Sequence, residues 1–228
     1  MIDKSYADAA LAVADIPDGA TIMIGGFGRA GQPVDLIDAL IEKGVGDLTI
    51  VNNNAGNGDT GLAALLKARR VRKIICSFPR QSDSWHFDEK YRAGEIELEI
   101  VPQGNLAERI RAAGAGIGAF YTPTGVGTQL AEGKEIREFD GRAYALELPI
   151  RADFALISAY RADRWGNLVY RKTARNVERR WVSIIFSPIP CPIFRDSPIS
   201  ERVLYSRPRG PVSLWPLVWV AWSLLNKK

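Results

Sequence analysis

Asp18-Gly19-Ala20-Thr21-Ile22-Met23-Ile24-Gly25-Gly26-Phe27-Gly28-Arg29-Ala30-Gly31-Gln32-Pro33 decides how the chain is read. Residues 21–24 are short, apolar and rich in β-branched side chains, the pattern of a buried strand. Gly25, Gly26 and Gly28 follow, then Gly31. From residue 34 to 41 the apolar positions fall at helical spacing, and Pro33 stands where a first helical turn tolerates proline. The spacing predicts a strand, a glycine loop and a helix. Such a loop lets backbone amides approach an anion, with the positive end of the helix dipole behind them.

Gly26-Phe27-Gly28-Arg29-Ala30-Gly31 is also a literal G-x-G-x-x-G. A dinucleotide site would then want an acid about 20 residues on, at the end of the next strand, to hold the ribose. That place holds Asn52-Asn53-Asn54, with no carboxylate. The nucleotide-binding reading loses weight there, and a tight turn with no ligand stands beside it.

The wider pattern is more specific. Asp-Gly, two residues, three apolar residues, Gly-Gly-Phe, three residues, Gly, one residue and Pro is similar to the signature of the A, or alpha, subunit of family I CoA-transferases. The resemblance implies a CoA-binding segment at Gly25, Gly26, Phe27, Gly28, Arg29, Ala30 and Gly31. It continues through Asn53-Asn54-Ala55-Gly56, through residues 101–110 around Pro102-Gln103-Gly104, and through 122–128. It ends with Trp165-Gly166-Asn167-Leu168 and Ala174-Arg175-Asn176, so it covers residues 3–176. Ser77-Phe78-Pro79-Arg80-Gln81-Ser82-Asp83-Ser84 resembles most the members that use 3-oxoadipate and succinyl-CoA; acetoacetate members come next.

Composition bounds the alternatives. The 228 residues suffice for one α/β domain and part of another, and 46 % hydrophobic residues are ample for a core. A single His argues against a His-based metal site or triad, and no metal is expected. Two distant cysteines, Cys76 and Cys191, suit a reducing compartment rather than a disulfide scaffold. The opening residues lack a basic segment followed by an apolar run, so no secretory signal is expected. No stretch reaches the roughly 20 apolar residues of a spanning helix. These features together predict a cytoplasmic protein. The net charge of +4 tempts a nucleic-acid reading, but residues 177–228 carry 8 Lys/Arg and 3 Asp/Glu. The remaining 22 and 23 give −1 for residues 1–176, the balance of an ordinary solvated surface, and no nucleic-acid partner is expected.

In chain order the pattern predicts helices over 6–13, 34–43, 60–68, 88–93 and 106–113, alternating with strands over 21–24, 48–51, 71–77 and 95–101. That alternation argues an α/β fold: an open, mostly parallel sheet with helices on both faces. Ligands in such sheets lie beyond the carboxyl ends of the strands, where loops 25–31, 52–58, 77–84 and 102–105 converge. The acids of the 95–101 strand read as its wet face. The segment 114–127 reads as a backbone-dominated loop. Phe139-Asp140-Gly141-Arg142 is a hairpin signal, and 153–160 with 167–171 reads as a second strand pair. The second half is therefore expected to add antiparallel strands to the sheet.

After Asn176 the composition breaks. Residues 177–228 hold 7 of the 13 Pro, 4 of the 6 Trp and one of the 21 Gly. Two readings stand: a divergent but genuine tail, and an out-of-frame translation, which the abruptness of the change favours. Family elements that finish the sheet are not recognisable there, so the transferase domain reads as incomplete. The apolar run 214–225, interrupted by Pro216, reads as a patch that promotes association.

The resemblance implies a reaction. These enzymes pass CoA between two carboxylic acids through a glutamyl-CoA thioester, with CoA thioesters as substrates and no permanently bound cofactor. The nucleophilic glutamate lies on a B subunit in a Ser-Glu-Asn-Gly context, which this chain lacks. Glu108 and Glu132 are the tempting carboxylates here, and their plain reading is solvated or ion-paired. Gln103 is implied as a donor to the oxyanion, a role a neutral amide fills without adding charge; the structural alternative is a turn residue capping the next helix. Asn53, Arg80 and Gly104 are candidate substrate contacts, Arg80 or Arg29 for a distal carboxylate. The expected partners are a B subunit, succinyl-CoA and a 3-oxo acid. A Rossmann-type nucleotide-binding protein and a catalytically silent assembly module remain as alternatives.

Overall fold

The computed structural model describes residues 3–172 and 219–223. Among these the elements run, in order, α1 (Ala9–Ala12), β1 (Thr21–Ile24), α2 (Val34–Lys43), β2 (Leu48–Val51), α3 (Leu62–Lys67), β3 (Val71–Cys76), α4 (Trp85–Arg92), β4 (Glu97–Ile100) and α5 (Gln103–Gly114). There follow β5 (Phe120–Thr122), a 3-10 turn (Gln129–Ala131), β6 (Ile136–Phe139), β7 (Arg142–Glu147), β8 (Phe154–Ser158), β9 (Arg161–Ala162), β10 (Leu168–Val169) and β11 (Trp219–Ser223).

The main sheet is parallel, in the order β11-β8-β1-β2-β3-β4. β1 is central: Ile22 pairs with Ile50 on one side and Phe154 on the other. Side-chain alternation divides two cores. Ile22, Ile24, Ile50 and Leu156 pack with Leu36 and Leu40 of α2, Leu65 of α3 and Phe87 of α4. Met23, Val51, Ile75 and Ile157 pack with Leu106 and Ile110 of α5. Helices thus cover both faces, as the alternating pattern predicts. α2 ends as expected at Gly44, left-handed at φ 84°.

The chain advances from β1 to β4 in one direction, then β8 returns to the opposite side of β1. The order reverses between β1 and β8, which places the glycine loop after β1 at the switch point of the sheet. The Gly25 amide donates to Leu156 O at 2.8 Å, carrying the ladder into the loop.

Four expectations are corrected. α4 starts at Trp85 rather than residue 88, because Phe87 is buried against the core and draws the first turn into helix. α5 starts at Gln103 rather than 106: the Leu106 amide reaches Pro102 O at 2.8 Å and closes a turn through Gly104 and Asn105. The 114–127 loop contains β5, which pairs antiparallel with β7. The antiparallel strands do not extend the main sheet. β5-β7-β6 and β9-β10 form separate small sheets, and β8 joins the main sheet in parallel because both its faces are apolar and buried. The β6-β7 turn is the expected hairpin, with Asp140 and Gly141 both at positive φ.

Five tail residues, Trp219–Ser223, lie parallel to β8 as an outer strand, where the composition break predicts no contribution to the sheet. The reading of the rest of 177–228 as a divergent, association-prone tail concerns residues outside those described. No helix among the described residues is long and apolar enough to cross a membrane.

Candidate active site

β2 ends in three buried asparagines with different duties. Asn52 Nδ2 donates to Ile24 O at 2.6 Å and ties β2 to β1, while its Oδ1 accepts the Asn54 amide at 2.9 Å. Asn54 Oδ1 accepts the Gly56 amide at 2.8 Å. These side chains set the loop's path by replacing backbone partners.

Asn53 turns its side chain to the ends of β3 and α5. Its Oδ1 accepts from Gln103 Nε2 at 2.7 Å and from Ser77 Oγ at 2.8 Å. The contact joins the ends of β2 and β3 to the first residue of α5, and it brings together two residues singled out in the sequence, Asn53 and Gln103. Gln103 is exposed, whereas Asn53 is 5 % exposed. Gln103 does not act as a cap here: its Nε2 donates to Asn53 Oδ1, and a donor cannot satisfy the free amides of a helix N-terminus. A primary amide has two N–H donors. One N–H of Gln103 is held by Asn53, and the other has no partner among the described residues. Gly104 adjoins open space: an added Cβ would meet nothing within 4 Å.

The glycine loop makes a tight turn in which Phe27 and Ala30 exchange backbone hydrogen bonds of 2.9 and 3.2 Å. Gly26, Gly28 and Gly31 all have positive φ, so the turn needs residues without a Cβ. Phe27 stands half exposed. Gln32 closes the turn by donating to Gly28 O at 2.7 Å.

Arg29 and Arg80 are each engaged within the chain. Arg29 Nη2 meets Asp83 Oδ2 at 2.5 Å, and Asp83 Oδ1 accepts from Asn57 Nδ2 at 2.8 Å. Loops 25–31, 52–58 and 77–84 are thereby tied together. The Asn57 hydrogen bond, with Arg29 beside it, holds the Asp83 carboxyl below its usual range. Arg80 Nε meets Asp88 Oδ1 of α4 at 2.6 Å.

No nucleophile emerges among the described residues at this end of the sheet. Cys76 precedes Ser77, but burial pushes its thiol up to about 12, so no thiolate forms near neutral pH. Glu108 pairs with Arg111 at 2.8 Å on the outer side of α5, and Glu132 is exposed beyond the 3-10 turn. Glu99 is not simply wet: Lys73 and Arg109 hold it at 3.1 and 3.0 Å. Arg109 also approaches buried Glu147 at 3.7 Å, linking β4 through α5 to β7. Among the described residues no group of His, Cys, Asp and Glu could hold a metal ion.

Sequence reasoning passes over Ser77, Asp83 and Gln32 as individuals. All three lie inside stretches quoted for the resemblance, but only the folded contacts reveal their work.

The Coenzyme A transferase family model matches residues 6–184. The A subunit of 3-oxoadipate CoA-transferase from Pseudomonas putida is 70 % identical over 176 residues, 77 % of this chain and 76 % of the relative. The A subunit of succinyl-CoA:3-ketoacid coenzyme A transferase from Xanthomonas campestris is 55 % identical over 174 residues, 76 % and 71 % of the two chains. Among solved structures, a variant of the decarboxylase AibA/AibB matches with a TM-score of 0.68 at 24 % identity, over 80 % of this chain and 72 % of that one, a likeness of fold alone. With a family model matched from residue 6 to residue 184, and with that identity to the A subunits, the chain belongs to the Coenzyme A transferase family.

Proposed function

We propose that the chain is the A subunit of a CoA-transferase that moves CoA from succinyl-CoA to 3-oxoadipate, working with a B subunit that supplies the nucleophilic glutamate. The observation that carries this reading is the 70 % identity, over three quarters of both chains, to a protein named as that subunit. The identity to the 3-ketoacid relative is lower, at 55 %. Residues 1–176 are the transferase domain in this reading, and 177–228 the divergent tail. CoA thioesters are substrates, and the complex works in the cytoplasm.

The chemistry needs what this chain offers and what it lacks. A carboxylate attacking a thioester carbonyl forms a tetrahedral oxyanion before the CoA thiolate leaves. A neutral donor aimed at that oxygen lowers the barrier without opposing the anionic substrates. Gln103 suits the donor role, with one N–H fixed by Asn53. The turn at Gly25 to Gly31 suits a CoA thioester, because its glycines allow close backbone approach.

The test is to express this chain with and without its B partner and to assay transfer from succinyl-CoA to 3-oxoadipate and to acetoacetate. Activity only in the complex, with 3-oxoadipate preferred, is expected. Preference for acetoacetate would reassign the substrate. Full activity of this chain alone, with no partner detected by mass spectrometry, would overturn the two-subunit reading.

A further inference from the structure

An exposed glutamine has several rotatable bonds, yet an oxyanion donor must aim one N–H at one place. Gln103 gains its direction from Asn53, to whose Oδ1 it donates at 2.7 Å. Asn53 itself must then be held in one orientation.

Ser77 supplies that hold. The backbone oxygen of Asn53 already accepts two amides, Ser77 N at 3.2 Å and Phe78 N at 3.0 Å. A carbonyl oxygen has two lone pairs. The Ser77 hydroxyl lies 3.1 Å from that filled oxygen and 2.8 Å from Asn53 Oδ1, so its proton goes to Oδ1. Oδ1 therefore receives Ser77 and Gln103 together. Turning the Asn53 amide over would set its NH₂ against the NH₂ of Gln103, donor against donor.

We propose that Ser77 is a positioning residue: its hydroxyl fixes the Asn53 amide, and Asn53 in turn aims Gln103. The inference rests on the functional reading above, because the aim of Gln103 matters only if it serves thioester exchange. The two backbone contacts to Asn53 O do not need the Ser77 side chain, so Ser77→Ala removes the hydroxyl while leaving the strand connection in place.

The experiment measures kcat and KM of the full chain assembled with its B subunit. Ser77→Ala is expected to lower kcat about three- to tenfold, the worth of one neutral hydrogen bond, with KM unchanged. Ser77→Thr keeps a hydroxyl and restores kcat. On a Gln103→Ala background, Ser77→Ala costs nothing further, a coupling that a general packing role would not show. If Ser77→Ala does not assemble, Ser77→Cys gives the same comparison with a weak donor of similar size. An unchanged kcat, or an equal loss on the Gln103→Ala background, overturns the inference while an active wild-type complex leaves the functional reading standing. An inactive wild-type complex overturns both.

Discussion

The Leu62 amide donates to Gln32 Oε1 at 3.0 Å, so a residue of the glycine loop caps a helix on the neighbouring unit of the sheet. The N-cap residue of α3, Gly61, has no side chain to do this. Space for Gln32 exists because two glycines leave it. A Cβ at Gly61 would lie 2.0 Å from Gln32 Oε1, and one at Gly26 would lie 2.8 Å from Gln32 Cγ. Gly26 therefore serves the loop's attachment to α3 as well as its turn.

Gln32→Ala strands the Leu62 amide, which belongs to a fully buried residue. The expected cost is about 1–3 kcal/mol, the penalty for a buried donor left without an acceptor. In a chain of this size that lowers the thermal midpoint by about 2–12 °C. Calorimetry or a thermal scan of the assembled enzyme checks it, and an unchanged midpoint would show that water replaces the cap.

Gln103→Ala removes the donor with the best claim on the oxyanion. The expected loss is about 2.7–4 kcal/mol at the transition state, or roughly 10²–10³ in kcat. Assembly should persist, since Gln103 is exposed and its amide donates to the Asn53 side chain rather than to a helix backbone. A fall in kcat of less than about threefold in an assembled complex would make the residue structural.

The main sheet is legible in the sequence because its strands are short apolar runs between helical periods. Residues 21–24 and 48–51 need no tertiary information, and Gly44 marks its helix end by the positive φ that glycine adopts without strain. The start of α5 is not legible. Pro102-Gln103-Gly104 has turn chemistry, and it is the hydrogen bond from the Leu106 amide to Pro102 O, with Leu106 and Ile110 buried under the sheet, that carries the helix back to Gln103. The pairing of 154–158 is hidden for a related reason: its partner β1 lies more than a hundred residues earlier, beyond any local pattern. The site residues divide likewise. Gln103 and Asn53 carry recognisable motifs, whereas Ser77 and Gln32 act through hydrogen bonds that no spacing encodes.

Glu99 links stability to pH. Burial pushes its carboxyl up, but hydrogen bonds from Lys73 and Arg109 outweigh this and hold it below its ordinary value of 4.5. Lys73 shifts the opposite way and is raised: burial opposes its charge, and hydrogen bonds to Glu97 and Glu99 overcome that opposition. A carboxyl lowered in the native state stabilises fully above its unfolded value, and the contribution fades as pH falls through the native one. Wild type should therefore be more stable than Glu99→Gln at neutral pH, with a narrower gap at an acid pH below the ordinary 4.5. Urea midpoints at both pH values decide it; a gap independent of pH would mean that the glutamate acts by packing.

Arg80 and Arg29 differ in what they have left to offer a dicarboxylate. Arg29 spends Nη2 on Asp83, and its guanidinium lies where a Cβ on Gly58 would come within 2.6 Å of it. It belongs to the fastening of three loops. Arg80 meets Asp88 through Nε, so its terminal fork can still take a carboxylate in two parallel hydrogen bonds. The second carboxylate of 3-oxoadipate asks for such a fork, and acetoacetate has no second carboxylate. Arg80→Ala should lower kcat/KM for 3-oxoadipate about three- to tenfold relative to acetoacetate, a modest figure because the side chain is half exposed. Arg29→Ala should instead lower the thermal midpoint and leave that ratio unchanged. Parallel kinetics with the two acids separate the residues. If the ratio moves with Arg29→Ala and not with Arg80→Ala, the distal carboxylate is read from the glycine loop, and the Arg29–Asp83 pair must open to receive it.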